Sequence, residues 1–140
     1  MKSCDPQSPS KSKDDSHASY HVLIFDNGDN LLNTICRGLS LYGHKYLSIS
    51  NPEEIFHQTQ GRPPGDVLVV DLSVNGQAGF EFIKQVHMLD PQFPILAIAG
   101  IQMTPEIKTI KEWEIRIIHK PFCAASLNKA IDSLCQSSEM

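Results

Sequence analysis

Three polar clusters each close a short apolar run: Asp26-Asn27-Gly28-Asp29 after Val22-Leu23-Ile24-Phe25, Asp71 after Val67-Leu68-Val69-Val70, and His119-Lys120-Pro121-Phe122 after Ile115-Arg116-Ile117-Ile118. Two carboxylates and an ammonium group brought to one rim would have a definite chemistry. Asp26 and Asp71 are hard oxygen donors that can share a divalent cation. An aspartate beside such a cation is a competent nucleophile toward phosphorus, because the metal screens the repulsion between anions and stabilises charge on the transferring oxygens. Lys120, a compact point charge, would hold a phosphate oxygen.

The surrounding pattern supplies elements able to bring these residues together. Five runs have strand length and β-branched content: the three above, Tyr46-Leu47-Ser48-Ile49, and Ile95-Leu96-Ala97-Ile98. Between them lie helix-period stretches. Leu31, Leu32, Ile35, Leu39 and Tyr42 mark one apolar face, and Leu127, Ala130, Ile131 and Leu134 another, with weaker helices expected around 52 to 60, 79 to 89 and 104 to 113. Asn51 before Pro52 and Thr104 before Pro105 are N-cap signals, and Gly43 is a stop signal. Continuous rather than alternating apolar strands predict a parallel sheet covered on both faces, and right-handed crossovers make it doubly wound, in the order 2-1-3-4-5. In such a sheet the chemistry sits beyond the carboxyl ends of the strands, where all three clusters fall.

The totals set limits. A chain of 140 residues, 41% hydrophobic, has material for one core, with 1–19 as a tail, 20–135 as the domain and 136–140 as a short end. The first stretch holds six serines, two prolines, three lysines and three aspartates and little that is apolar, so it is expected to stay disordered. A formal charge of −4 argues against a nucleic-acid partner. Cys4, Cys36, Cys123 and Cys135 form no C-x-x-C pair and are expected to be reduced thiols. Neither a leader nor a membrane-length apolar run is present, so the expectation is a cytoplasmic protein without membrane attachment.

The segments VLIFDNGDNLL, VLVVDLSVNGQAGFEF and IIHKPF, in that order, resemble the receiver domain of two-component response regulators from about Tyr20 to Cys135. The resemblance implies a flavodoxin-like fold. It makes Asp71 the phosphoacceptor, Lys120 the phosphate contact, and Asp26, Asn27, Asp71 and the Ser73 backbone carbonyl the ligands of Mg2+, while Gly76 and Gly79 match glycines of the loop after the acceptor. It further implies a histidine kinase or phosphotransfer protein as donor and a separate downstream effector protein, since no output domain accompanies the receiver. Three positions depart from the family. Asn27 replaces an acidic residue, which weakens Mg2+ binding; Ala99 replaces the hydroxyl residue at the end of the fourth strand; and Ile117 replaces the aromatic of the fifth. Ser73 and Ile101 stand where the family tunes the lifetime of the acyl phosphate.

Plainer readings stand beside these. Asp71 would serve as a turn residue, Asp26 or Asp29 as a helix cap, Lys120 as a surface lysine, Ser73 and Ile101 as loop filler, and Trp113 as a ring closing the core edge rather than a partner anchor. His119 is expected to turn away from the rim, and the remaining histidines to lie at the surface. A calcium loop at Asp26 fails because its twelfth residue is Arg37. An aspartate-nucleophile phosphatase would need a carboxylate where Ser73 stands, and a nucleotide or flavin carrier would need a Gly-rich loop after the first strand. The remaining alternative is a degenerate receiver, acting as an interaction module without phosphorylation.

Overall fold

The computed structural model describes residues 19–25, 32–49 and 65–137. Asp26, Asn27 and the stretch expected as a helix around 52 to 60 lie outside them. In chain order the elements are β1 (His21–Phe25), α1 (Leu32–Leu41), β2 (Lys45–Ile49), β3 (Val67–Asp71), α2 (Leu72–Leu89), β4 (Ile95–Ala99), α3 (Pro105–Glu112), β5 (Arg116–His119) and α4 (Ala124–Ser137).

All four strand pairings are parallel, and the order is β2-β1-β3-β4-β5, as the apolar runs predicted. Strand side chains alternate between two cores. Val22, Ile24, Val67, Val69, Leu96 and Ile98 face α1 and α4, meeting Ile35, Leu39, Leu127, Ala130 and Ile131. Their neighbours Leu23, Phe25, Leu68, Val70, Ile95 and Ala97 face α2 and α3, meeting Phe82, Ile83, Val86 and Ile110. Each fully buried aliphatic or aromatic side chain contributes roughly 1.5–3 kcal/mol, so two faces of such residues fix which side of each strand is which. The polar end of the sheet is fixed with them.

Gly43 follows α1 at φ 83°, the left-handed position that ends a helix, and Thr104 caps α3 by accepting from the Ile107 N–H at 3.2 Å. The junction between α3 and β5 has no glycine, and Glu114 takes φ 66° there. A side chain in that region costs about 1 kcal/mol, so Glu114→Gly is expected to raise stability by up to about 1 kcal/mol in urea unfolding. This turn also moves β5 one residue on from its predicted start, to Arg116. Beside it Trp113, half-buried, stacks on Phe80 and His87 with ring centroids at 6.0 and 5.0 Å. The ring closes the core edge.

Cys36 and Cys135 are thiols, and one sequence expectation is corrected. His44 is 4% exposed rather than at the surface. Its Nδ1 accepts from the Tyr20 N–H at 3.1 Å, which leaves Nε2 to carry the proton and donate to Asn128 Oδ1 at 2.6 Å. Tyr20 in turn donates its phenol to Asp132 at 2.9 Å, so β1 and the turn before β2 are fastened to α4. His44→Leu keeps the volume and removes the acceptor; it is expected to cost roughly 1–3 kcal/mol, read from the urea midpoint.

Candidate functional site

Asp71 ends a strand whose other four residues are fully buried, and it is itself 7% exposed. A carboxylate so placed requires partners, since an unpaired buried charge costs several kcal/mol. Among the described residues it has three donors. Ser73 gives its N–H and its hydroxyl to Oδ1 at 2.9 and 2.7 Å, and the Lys120 ammonium lies 2.9 Å from Oδ2. Asp71 thereby also caps α2, so the plain turn reading and the functional one describe the same geometry.

The helix expected from 79 begins instead at Leu72. Once Asp71 accepts from Ser73, the next turn can close, and the break is deferred to Gly76, whose φ of 50° interrupts α2. Asn75 donates to the Asp71 carbonyl at 3.0 Å. Gly79 is closely packed: a Cβ there would stand 3.0 Å from Val70 Cγ1.

At the ends of β4 and β5 the Lys120 N–H donates to the Ala99 carbonyl at 2.9 Å, and His119 Nδ1 lies 2.9 Å from the Gly100 carbonyl. Ala99 is fully buried, and Ile117 is half-buried against the α2 and α3 core. Phe122 packs against the opposite core and anchors the turn that carries Lys120. A cavity of about 500 Å³ holds Asp71 and Lys120 together with Gly100, Ile101 and Phe122. A second, of about 520 Å³, opens beside it between Ser73, Gly76 and Gln77 on one side and Ala99, Ile101 and Thr104 on the other.

Of the residues singled out from sequence, the structure brings Asp71, Ser73 and Lys120 together, with Ala99 and Ile101 at the same end. Asp26 and Asn27 lie outside the described residues. Among the described residues no three of His, Cys, Asp and Glu are grouped to hold a metal. The donor set is nonetheless oxygen-rich, one buried carboxylate beside a serine, and its hardness suits a cation such as Mg2+ rather than a softer metal. The Ser73 side-chain contact was not anticipated; the spacing D-x-S, an Asx-type turn, is the signal that carries it.

A doubly wound parallel sheet with its polar residues at the carboxyl ends of the strands defines an α/β domain of the flavodoxin-like kind. The response regulator receiver domain family matches residues 22–132, and the chain belongs to that family. It is 25% identical over 124 residues to the C4-dicarboxylate transport transcriptional regulatory protein DctD of Pseudomonas aeruginosa, covering 88% of this chain and 26% of that protein. The chain thus spans about a quarter of that relative's length. Its fold is similar to NtrX from Brucella abortus (TM-score 0.70, 17% identity, 87% of this chain and 28% of that one). It is also similar to receiver domain proteins from Clostridium thermocellum (0.67, 21%, 85% and 96%) and Methanospirillum hungatei (0.69, 16%, 87% and 98%). Membership makes this a signalling domain of two-component systems, a family that in general binds Mg2+ at its phosphorylation site and works with histidine kinases and effectors. No described helix is long and apolar enough to cross a membrane.

Proposed function

We propose that residues 20–135 form a working receiver in which Asp71 takes a phosphoryl group from a histidine kinase or phosphotransfer protein and signals through protein contacts to a downstream effector. A carboxylate oxygen of Asp71 attacks phosphorus, the bond from phosphorus to the donor's imidazole nitrogen breaks, and the nitrogen keeps the electron pair. The observation that carries this reading is the buried Asp71 carboxylate with the Lys120 ammonium at 2.9 Å, inside a cavity open to a donor. Lys120, a third exposed, can pass from Oδ2 to a phosphoryl oxygen without leaving the rim.

Mg2+ bound by Asp71, Asp26, Asn27 and the Ser73 carbonyl would screen charge on the transferring oxygens. Asn27 is a neutral ligand, so saturation should need more Mg2+ than an acidic pair requires. The place of work is the cytoplasm, with neither nucleic acid nor a membrane as partner. Ala99 and Ile117 support one rival, a receiver that acts without phosphorylation, because a methyl and a branched alkyl group cannot form the hydroxyl and aromatic pair.

Intact-mass spectrometry after incubation with acetyl phosphate and Mg2+ separates the two. An adduct that requires Mg2+ supports the working receiver. Its absence, with acetyl phosphate and with a phosphorylated donor protein alike, supports the phosphorylation-independent module. Lys120→Ala is expected to leave the circular dichroism spectrum unchanged and to slow labelling roughly tenfold to a hundredfold, the worth of one hydrogen bond to a charged group.

A further inference from the structure

The two cavities at this end of the sheet share a wall. Gly100 and Ile101 line both, and little packing holds them: Ile101 is 83% exposed, Met103 is 57% exposed, and the direction in which a Cβ would leave Gly100 is open for 4 Å. The sheet ladder stops just short of this wall. β4 and β5 pair as far as Ala99 and His119, the Lys120 N–H reaches the Ala99 carbonyl, and the following residue, Pro121, has no N–H to donate. The His119 ring continues where the backbone ends. Its Nδ1 lies 2.9 Å from the Gly100 oxygen, and because a carbonyl only accepts, Nδ1 carries the hydrogen.

We infer that His119 is a positioning residue that fixes Gly100 and the loop to α3 as a wall of the acceptor cavity, and so sets the lifetime of the phosphoryl group on Asp71. The inference rests on the proposal that Asp71 is the acceptor. Loss of the group is hydrolysis: water attacks phosphorus, the bond from phosphorus to the Asp71 oxygen breaks, the carboxylate is restored and inorganic phosphate leaves. Ala99 offers no side-chain donor at the end of β4, so on that side the acceptor cavity is lined by Gly100 and Ile101. A wall pinned by His119 admits water less often than one that swings.

The test uses the full chain as wild type, His119→Ala and His119→Asn. The asparagine variant keeps an N–H at the same number of bonds from the backbone as Nδ1. Two quantities are read: amide hydrogen exchange at residues 100–103 in unphosphorylated protein, and decay of the Asp71 adduct after acetyl phosphate is removed. His119→Ala is expected to speed exchange about fivefold, the loss of one net hydrogen bond, and to shorten the adduct's half-life by a similar factor. His119→Asn should restore both. Unchanged exchange in His119→Ala, equal behaviour of the two variants, or faster exchange with an unaltered half-life would each overturn the inference. A wild type that takes no adduct overturns the acceptor proposal and the lifetime role with it, while the exchange data alone still decide whether His119 holds the loop.

Discussion

Asp71→Asn is expected to abolish the phosphoryl adduct completely, under conditions in which the wild type is labelled, while the protein stays folded. The amide can still accept the Ser73 N–H and hydroxyl at the Oδ1 position, so the cap of α2 survives. Its nitrogen then faces the Lys120 ammonium, and the ion pair is lost. Removing a charge from a site only 7% exposed also removes its desolvation cost, which offsets that loss. What disappears without compensation is the nucleophile: an amide oxygen is too weakly basic to attack phosphorus. Undiminished labelling of the variant would move the acceptor elsewhere, and labelled peptides would identify it.

Leu127→Ala is expected to have the largest effect on stability, roughly 2–5 kcal/mol, seen as a lower urea midpoint at unchanged slope. Leu127 is 1% exposed on α4 and fills the space beside Gly38 of α1, where a Cβ would stand only 3.3 Å from its Cδ2. The glycine lets the helices approach, so the pocket left by truncation has few side chains able to relax into it. Phe122 rests on the same core, and the turn bearing Lys120 loses support with it. Ile101→Ala, at an 83% exposed position, is the matching control and should change stability by no more than about 0.5 kcal/mol. A loss below about 1 kcal/mol for Leu127→Ala would contradict the packing of α1 on α4.

Sequence by itself determined the sheet and its order. Runs such as Val67-Leu68-Val69-Val70 are apolar on both faces, and that pattern is stable only with helices on both sides of a parallel sheet. The placement of Asp71 and Lys120 at one rim follows from the same rule, because each terminates such a run. The core positions of α4 were equally legible, with Leu127, Ala130 and Ile131 buried and Leu134 packed beside them at helical spacing. These features depend on periodicity, which is local.

Tertiary structure alone decided the contacts made by single polar atoms between elements distant in the chain. The early start of α2, where Ser73 closes on Asp71 two residues away, is local by contrast. Burial of His44 depends on Tyr20 and Asn128 reaching it from β1 and α4, and the hold of His119 on Gly100 depends on where the ladder between β4 and β5 runs out. A hydrogen bond is decided within a few tenths of an ångström and tens of degrees, whereas a hydrophobic pattern tolerates any side chain of about the right size. The pattern therefore brings the acceptor and the lysine to one rim, and only the assembled fold shows which donors reach each oxygen.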